Sequence, residues 1–183
     1  MPFALVAVAI SVTLLPYLSK NILDQEKNVN AFNQTIIFCL IFSIPSVFGL
    51  LYLSHDIVNV LFGRGEFQAS DVLITSKILI VYSFSLPGYM LARIFNQVFY
   101  SYEKVEYPVK AAVPTFICNF ILCFLLYRPL GVLGLAISGA VSIWLNLFIQ
   151  IFYLRKNFGS FYEKLLIFDF KKLLKILISA IIM

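Results

Sequence analysis

The sequence predicts an all-α integral membrane protein, a bundle of about five complete transmembrane helices with a sixth cut short. Three observations predict it. The 183 residues are 61% hydrophobic and 13% charged, with a mean hydropathy of +0.94; a soluble domain carries roughly twice that charged share. Five charge-poor stretches reach the roughly 20 apolar residues that a helix needs to cross a hydrocarbon core of about 30 Å. Lipid offers backbone groups no partners, so such stretches must be helical. Finally, ten of the 14 Lys and Arg residues fall in alternate gaps between these stretches.

Segment one, 2–19, is uncharged and places Ala7 and Ser11 one turn apart. Segment two, 35–54, lies in a charge-free window that runs from Asn28 to His55 and contains Pro45. The gap that follows, 55–71, reads as a short amphipathic piece over 56–62 and a turn at Gly63-Arg64-Gly65. Arg64 there contacts lipid head groups, caps a helix or simply sits in a solvated turn. Segment three, 72–100, is long, holds Pro87, and is interrupted by Lys77 and Arg93. Segment four, 109–127, contains Pro114 and Asn119. Segment five, 130–154, has Gly134, Ser138 and Ser142 at four-residue spacing, a stripe that lets helix backbones approach closely. Segment six covers 173–183 and is too short to span. Asn119 and Asn146 are expected to hydrogen-bond between helices. Pro45, Pro87 and Pro114 each remove a backbone hydrogen bond, so each is either a hinge for alternating access or a tolerated membrane-helix proline.

The charges set an orientation. Lys20 and Lys27, then Lys104 and Lys110, then Arg155, Lys156, Lys164, Lys171, Lys172 and Lys175 fill alternate gaps; the intervening gaps hold Arg64 and Arg128. The basic-rich side is cytoplasmic by the positive-inside rule, which puts loops 20–34, 101–108 and 155–172 inside. The chain opens within one spanning helix and stops about 11 residues into another, which reads as a piece of a longer transporter, truncated or split.

Several function classes drop out. The net charge of +5 sits at membrane borders, so nucleic acid is not a partner. Cys39, Cys118 and Cys123 all lie in apolar segments without metal-ligand spacing, and His55 stands alone. No Ser/His/Asp set, paired intramembrane carboxylates or phosphate-cradling glycine loop occurs, so neither an enzyme nor a cofactor or metal site is expected. No basic region precedes the first apolar segment, so no cleavable signal is expected.

Lys77 and Arg93 are the candidate functional charges. They are sixteen positions apart; at about 100° per residue that leaves about 160° after four turns, so they do not share a narrow face. They either snorkel to opposite interfaces or face a hydrated cavity that attracts an anionic head group. Polar neighbours such as Asn96 and Gln97 favour the cavity for Arg93.

Four motifs then occur in a recognisable order. Thr13-Leu-Leu-Pro-Tyr-Leu-Ser-Lys20 resembles an LLPxLS signature, and Leu61-Phe-Gly-Arg-Gly-Glu-Phe67 resembles an LFxRGxF loop. Phe99-Tyr-Ser101 with Tyr107-Pro-Val-Lys-Ala111 resembles an FYA/S…TPV+ loop, and Pro129-Leu-Gly-Val-Leu-Gly-Leu-Ala136 with Trp144-Leu-Asn146 resembles PLGxxGLA…LN. Together they make the chain similar to the MurJ/MviN family of lipid II flippases over essentially its whole length. The resemblance implies the second bundle of a two-bundle flippase in the bacterial inner membrane, beginning within that bundle's second helix. It implies a lipid-linked peptidoglycan precursor as substrate, surrounding lipids as partners, and a first bundle supplied by the same protein or a split-gene partner. It raises the weight of Arg93, whose position is usually basic in the family. The family's Asp-Arg pair ahead of segment one is absent from this chain. The alternatives are another lipid-linked oligosaccharide flippase or drug exporter of the same superfamily, or an inactive remnant.

Overall fold

In the computed structural model, residues 12–21 and 24–157 are described, and every long element is a helix. Helix α1 is described over 12–20. It is followed by α2 (Gln25–Phe62), α3 (Ala69–Ser101), α4 (Glu106–Leu130) and α5 (Val132–Asn157). Among the described residues, α2 to α5 are each long and apolar enough to cross a membrane. Residues 2–11, segment six and Lys164, Lys171, Lys172 and Lys175 lie outside the described residues.

The helix ends differ from the expected segment ends, because apolarity marks the part of a helix in lipid and not the part that continues into water. The expected cytoplasmic loop 20–34 narrows to a short link. Asp24 caps α2 by accepting the Lys27 N–H at 3.2 Å, and its carboxylate also pairs with the Lys27 ammonium at 2.8 Å. That pairing holds the Asp24 carboxyl below its usual range. With 38 residues, α2 is about 57 Å long, more than a hydrocarbon core. At its far end, 56–62 is not a separate amphipathic piece but the final turns of α2. The Asp71 carboxylate accepts the Gln68 N–H at 3.0 Å and starts α3. Leu130, expected to open segment five, instead finishes α4 together with Pro129.

Gly131 alone joins α4 to α5; its φ of +56° is a backbone conformation that side-chain-bearing residues avoid. Gly134 then lets α5 approach closely, since a Cβ there would collide with the Leu126 carbonyl of α4. Further along, Gly88 of α3 sits where an added Cβ would be 2.8 Å from Ile143 Cγ2 on α5. Thus α5 packs between α3 and α4, α2 packs on the other side of α3, and α3 and α4 barely meet. The largest fully buried apolar side chains, Phe32, Phe99, Leu18 and Ile94, gather at the basic-rich end. Phe32 and Phe95 meet edge to face at 5.2 Å between ring centroids, and Asn28 Nδ2 donates to the Leu18 carbonyl at 3.2 Å, tying α1 to α2.

The three prolines stand inside helices that continue through them. Each has a hydroxyl beside it bonded back to the preceding turn: Ser46 to Phe42 O, Ser85 to Tyr82 O and Thr115 to Ala111 O, at 2.6, 2.6 and 2.7 Å. Such bonds occupy carbonyls in the turns that proline disturbs.

Candidate functional site

Because α5 separates α3 from α4, a cleft of about 400 Å³ opens between them. One wall is a stripe on α3, with Tyr89, Arg93, Asn96, Gln97 and Tyr100 at three- and four-residue steps. Opposite stand Thr115 of α4 and Ile143 and Asn146 of α5. No carboxylate among the described residues lines the cleft.

The two walls differ chemically. On the α4–α5 side the polar side chains bond to one another in a chain, with Gln150 Oε1 left over. Gln150 Nε2 donates to Asn146 Oδ1 at 2.6 Å, Asn146 Nδ2 donates to Thr115 Oγ1 at 3.3 Å, and Thr115 donates to its own helix. On the α3 side, Asn96 Oδ1 is buried without a hydrogen-bond partner; Gln150 Oε1, behind Asn146, is in the same position. Arg93 is half-buried and carries five fixed N–H donors on an always-charged group.

Arg93 and Asn96, both expected from sequence, therefore share one cleft. Lys77 does not join them: it is exposed, toward the other end of α3, about 24 Å along the helix axis. Arg64 is exposed in the turn between α2 and α3, where its N–H donates to the Phe62 carbonyl at 2.7 Å. Asn146 bonds across helices as expected. Asn119 instead accepts from Cys123 in its own helix at 3.2 Å, and Cys123 reaches α5 through Ser138 Oγ at 2.8 Å.

Sequence reasoning missed a second polar groove of about 570 Å³ between α1 and α2, lined by Thr13, Tyr17, Lys27, Asn30, Gln34 and Thr35 among others. The helical spacing of Lys27, Asn30 and Gln34 was its signal, hidden because that stretch reads as a loop. Its lysine is already paired with Asp24. The α3 cleft holds Arg93 and Asn96, the residues expected from the sequence, and is the candidate site.

Long apolar helices around a polar, arginine-bearing cleft define a polytopic helical membrane protein. Comparison with known proteins makes the assignment specific. The family described as lipid II flippase MurJ matches residues 1–183, and the chain belongs to that family. It is 33% identical over 153 residues to the lipid II flippase MurJ of Thermosipho africanus, covering 81% of this chain and 31% of that protein. It is 31% identical over 184 residues to a probable lipid II flippase MurJ of Buchnera aphidicola subsp. Schizaphis graminum, covering 98% of this chain and 35% of that one. A solved structure of lipid II flippase MurJ in an inward closed conformation superposes with a TM-score of 0.80 at 27% identity, over 99% of this chain and 36% of that chain. The chain spans about a third of the length of these relatives.

Proposed function

We propose that this chain forms part of a lipid II flippase, moving an undecaprenyl-pyrophosphate-linked peptidoglycan precursor from the inner to the outer leaflet by alternating access. The carrying observation is the family match along the whole chain, on a fold that sets Arg93 within a polar cleft. Moving a charged head group through hydrocarbon unpaired is prohibitively costly, so the protein must supply cationic and hydrogen-bonding groups along the way. Arg93 and Asn96 serve the cytoplasmic side of that path. Lys77, about 24 Å away on the same helix, serves the outer side. Pro45, Pro87 and Pro114 are the positions at which α2, α3 and α4 flex. The membrane is the bacterial inner membrane, with the basic-rich ends of the helices cytoplasmic. The rest of the cavity belongs to the part of the relatives that this chain does not span.

The test is Arg93→Ala in the full-length protein. Growth support and lipid II flipping should fall at least about tenfold, as expected for loss of a charge-assisted contact. Unchanged flipping at equal expression removes Arg93 from the path.

A further inference from the structure

Resting on the flexing prolines of the reading above, we propose that residues 46–86 swing as one hairpin. The hinge runs through Pro45 and Pro87, and Trp144 of α5 is its bearing.

The depth of the two prolines is the first ground. Pro45 stands 17 residues before the end of α2 at Phe62, and Pro87 stands 18 residues after the start of α3 at Ala69. At 1.5 Å per residue both lie about 26 Å from the shared tip. Two paired antiparallel helices therefore each lose a backbone hydrogen bond at the same level. A bend at one proline alone would slide the helices past each other, whereas bends at both let the hairpin turn as a unit.

Packing changes character at that level. Among α2–α5, α2 contacts α3 alone. On the basic-rich side of the prolines the hairpin belongs to the main core, through Phe32, Met90, Ile94 and Phe95. On the tip side it buries Val47, Ser54 and Val58 of α2 and Val72, Ser76 and Ser83 of α3, one face of each helix. The three hydroxyls bond back to Leu51 O, Leu73 O and Ile80 O of their own helices. Small side chains thus hold the two helices to each other, and none of these hydroxyls ties the hairpin to the rest of the bundle.

The third ground is the contact at the hinge itself. Trp144 Nε1 donates to the Phe84 carbonyl at 3.2 Å, in the turn before Pro87. Next to the proline, a Cβ added at Gly88 would lie 2.8 Å from Ile143 Cγ2 and 3.3 Å from Trp144 Cε2. The α3 backbone is fixed to α5 at the level where it bends, which makes that point a pivot. Because α2 and α5 pack on opposite sides of α3, the hairpin moves across their row, toward or away from the tip-side end of α4. Lys77 rides on the moving half while Arg93 stays with the core.

The experiment measures distances between spin labels on the full-length protein in nanodiscs, with and without lipid II, with the native cysteines replaced by alanine. Leu73→Cys with Tyr127→Cys spans from the hairpin to α4, and Val60→Cys with Leu73→Cys lies within the hairpin; all three sites are exposed. A bend of about 20° at Pro87, about 21 Å from Leu73, moves that residue by about 7 Å. The first distance should change by most of that amount, and the second should keep one value. A first distance that never changes overturns the inference. So does a second distance that changes with the first, because the two helices then move separately. In unlabelled protein, Pro45→Ala combined with Pro87→Ala should lower lipid II flipping about tenfold, and unchanged flipping also overturns the hinge. Wild-type protein that does not flip lipid II sinks the flippase reading alone, and the two distances still decide the hinge.

Discussion

Helices α3 and α4 flank the same cleft, and each carries a mid-helix proline beside a back-bonded hydroxyl, yet their surroundings are opposite. About 33% of the apolar stretch of α3 is buried inside the bundle, against 6% for α4. The more apolar helix is the more exposed one. In a water-soluble protein that order would be wrong. In lipid it is expected, because no hydrophobic force drives one apolar helix against another and small or polar residues make the contacts. In mid-helix α3 buries Gly88 and Ser83, and at its basic-rich end Ile94, Phe95 and Phe99, while α4 turns Phe116, Phe120 and Phe124 outward at 73%, 69% and 69% exposure. The polar character of α3 is thus the mark of its place inside the bundle, and α4 touches the bundle mainly through α5.

Four substitutions grade that contrast. The largest effect belongs to Gly88→Leu, which forces a side chain into the space of Ile143 and Trp144. It should destabilise the detergent-solubilised protein by about 3 kcal/mol, read as loss of the cooperative thermal transition or a clear drop in its midpoint. Trp144→Phe comes next. It removes the indole N–H that donates to the Phe84 carbonyl at 3.2 Å, in the turn before Pro87, and should cost about 1 kcal/mol by the same measurement. A smaller loss, about 0.5 kcal/mol, is expected for Tyr107→Phe, because the Tyr107 hydroxyl donates to Asn157 Oδ1 at 2.8 Å and ties the start of α4 to the end of α5. Phe120→Ala should lie within about 0.5 kcal/mol of wild type. A large effect at Phe120 would mean that α4 is packed against a neighbour, and the contrast with α3 would fail.

The helical membrane fold was legible because long apolar runs and alternating basic gaps report directly on a bilayer. Helix ends were less so. The turns at 25–34 are polar enough to resemble a loop, and 56–62, with Asp56 and Asn59 among apolar residues, reads as a separate amphipathic piece; only the Asp24 cap and the continuous backbone ladder make both part of α2. In the candidate site, Arg93 and Asn96 stood out as polar residues in an apolar segment. Tyr89, Tyr100 and Thr115 did not, because an aromatic or threonine in a membrane helix is ordinary until its neighbours are known. Which helix faces which depends on close approaches at Gly88 and Gly134, and those depend on pairings between distant parts of the chain. The position of Lys77 followed from helical geometry alone: sixteen residues place it on another turn and another face than Arg93.

The single-residue link at Gly131 has a consequence for how the protein reaches the membrane. With no loop between α4 and α5, the ribosome delivers two apolar helices with only Arg128 as a charge near their shared tip. Neither can be threaded across and left waiting for the other, since the tip must traverse the bilayer in one event. The two therefore enter as a hairpin, and an epitope inserted at position 131 would interrupt biogenesis before it disturbed transport.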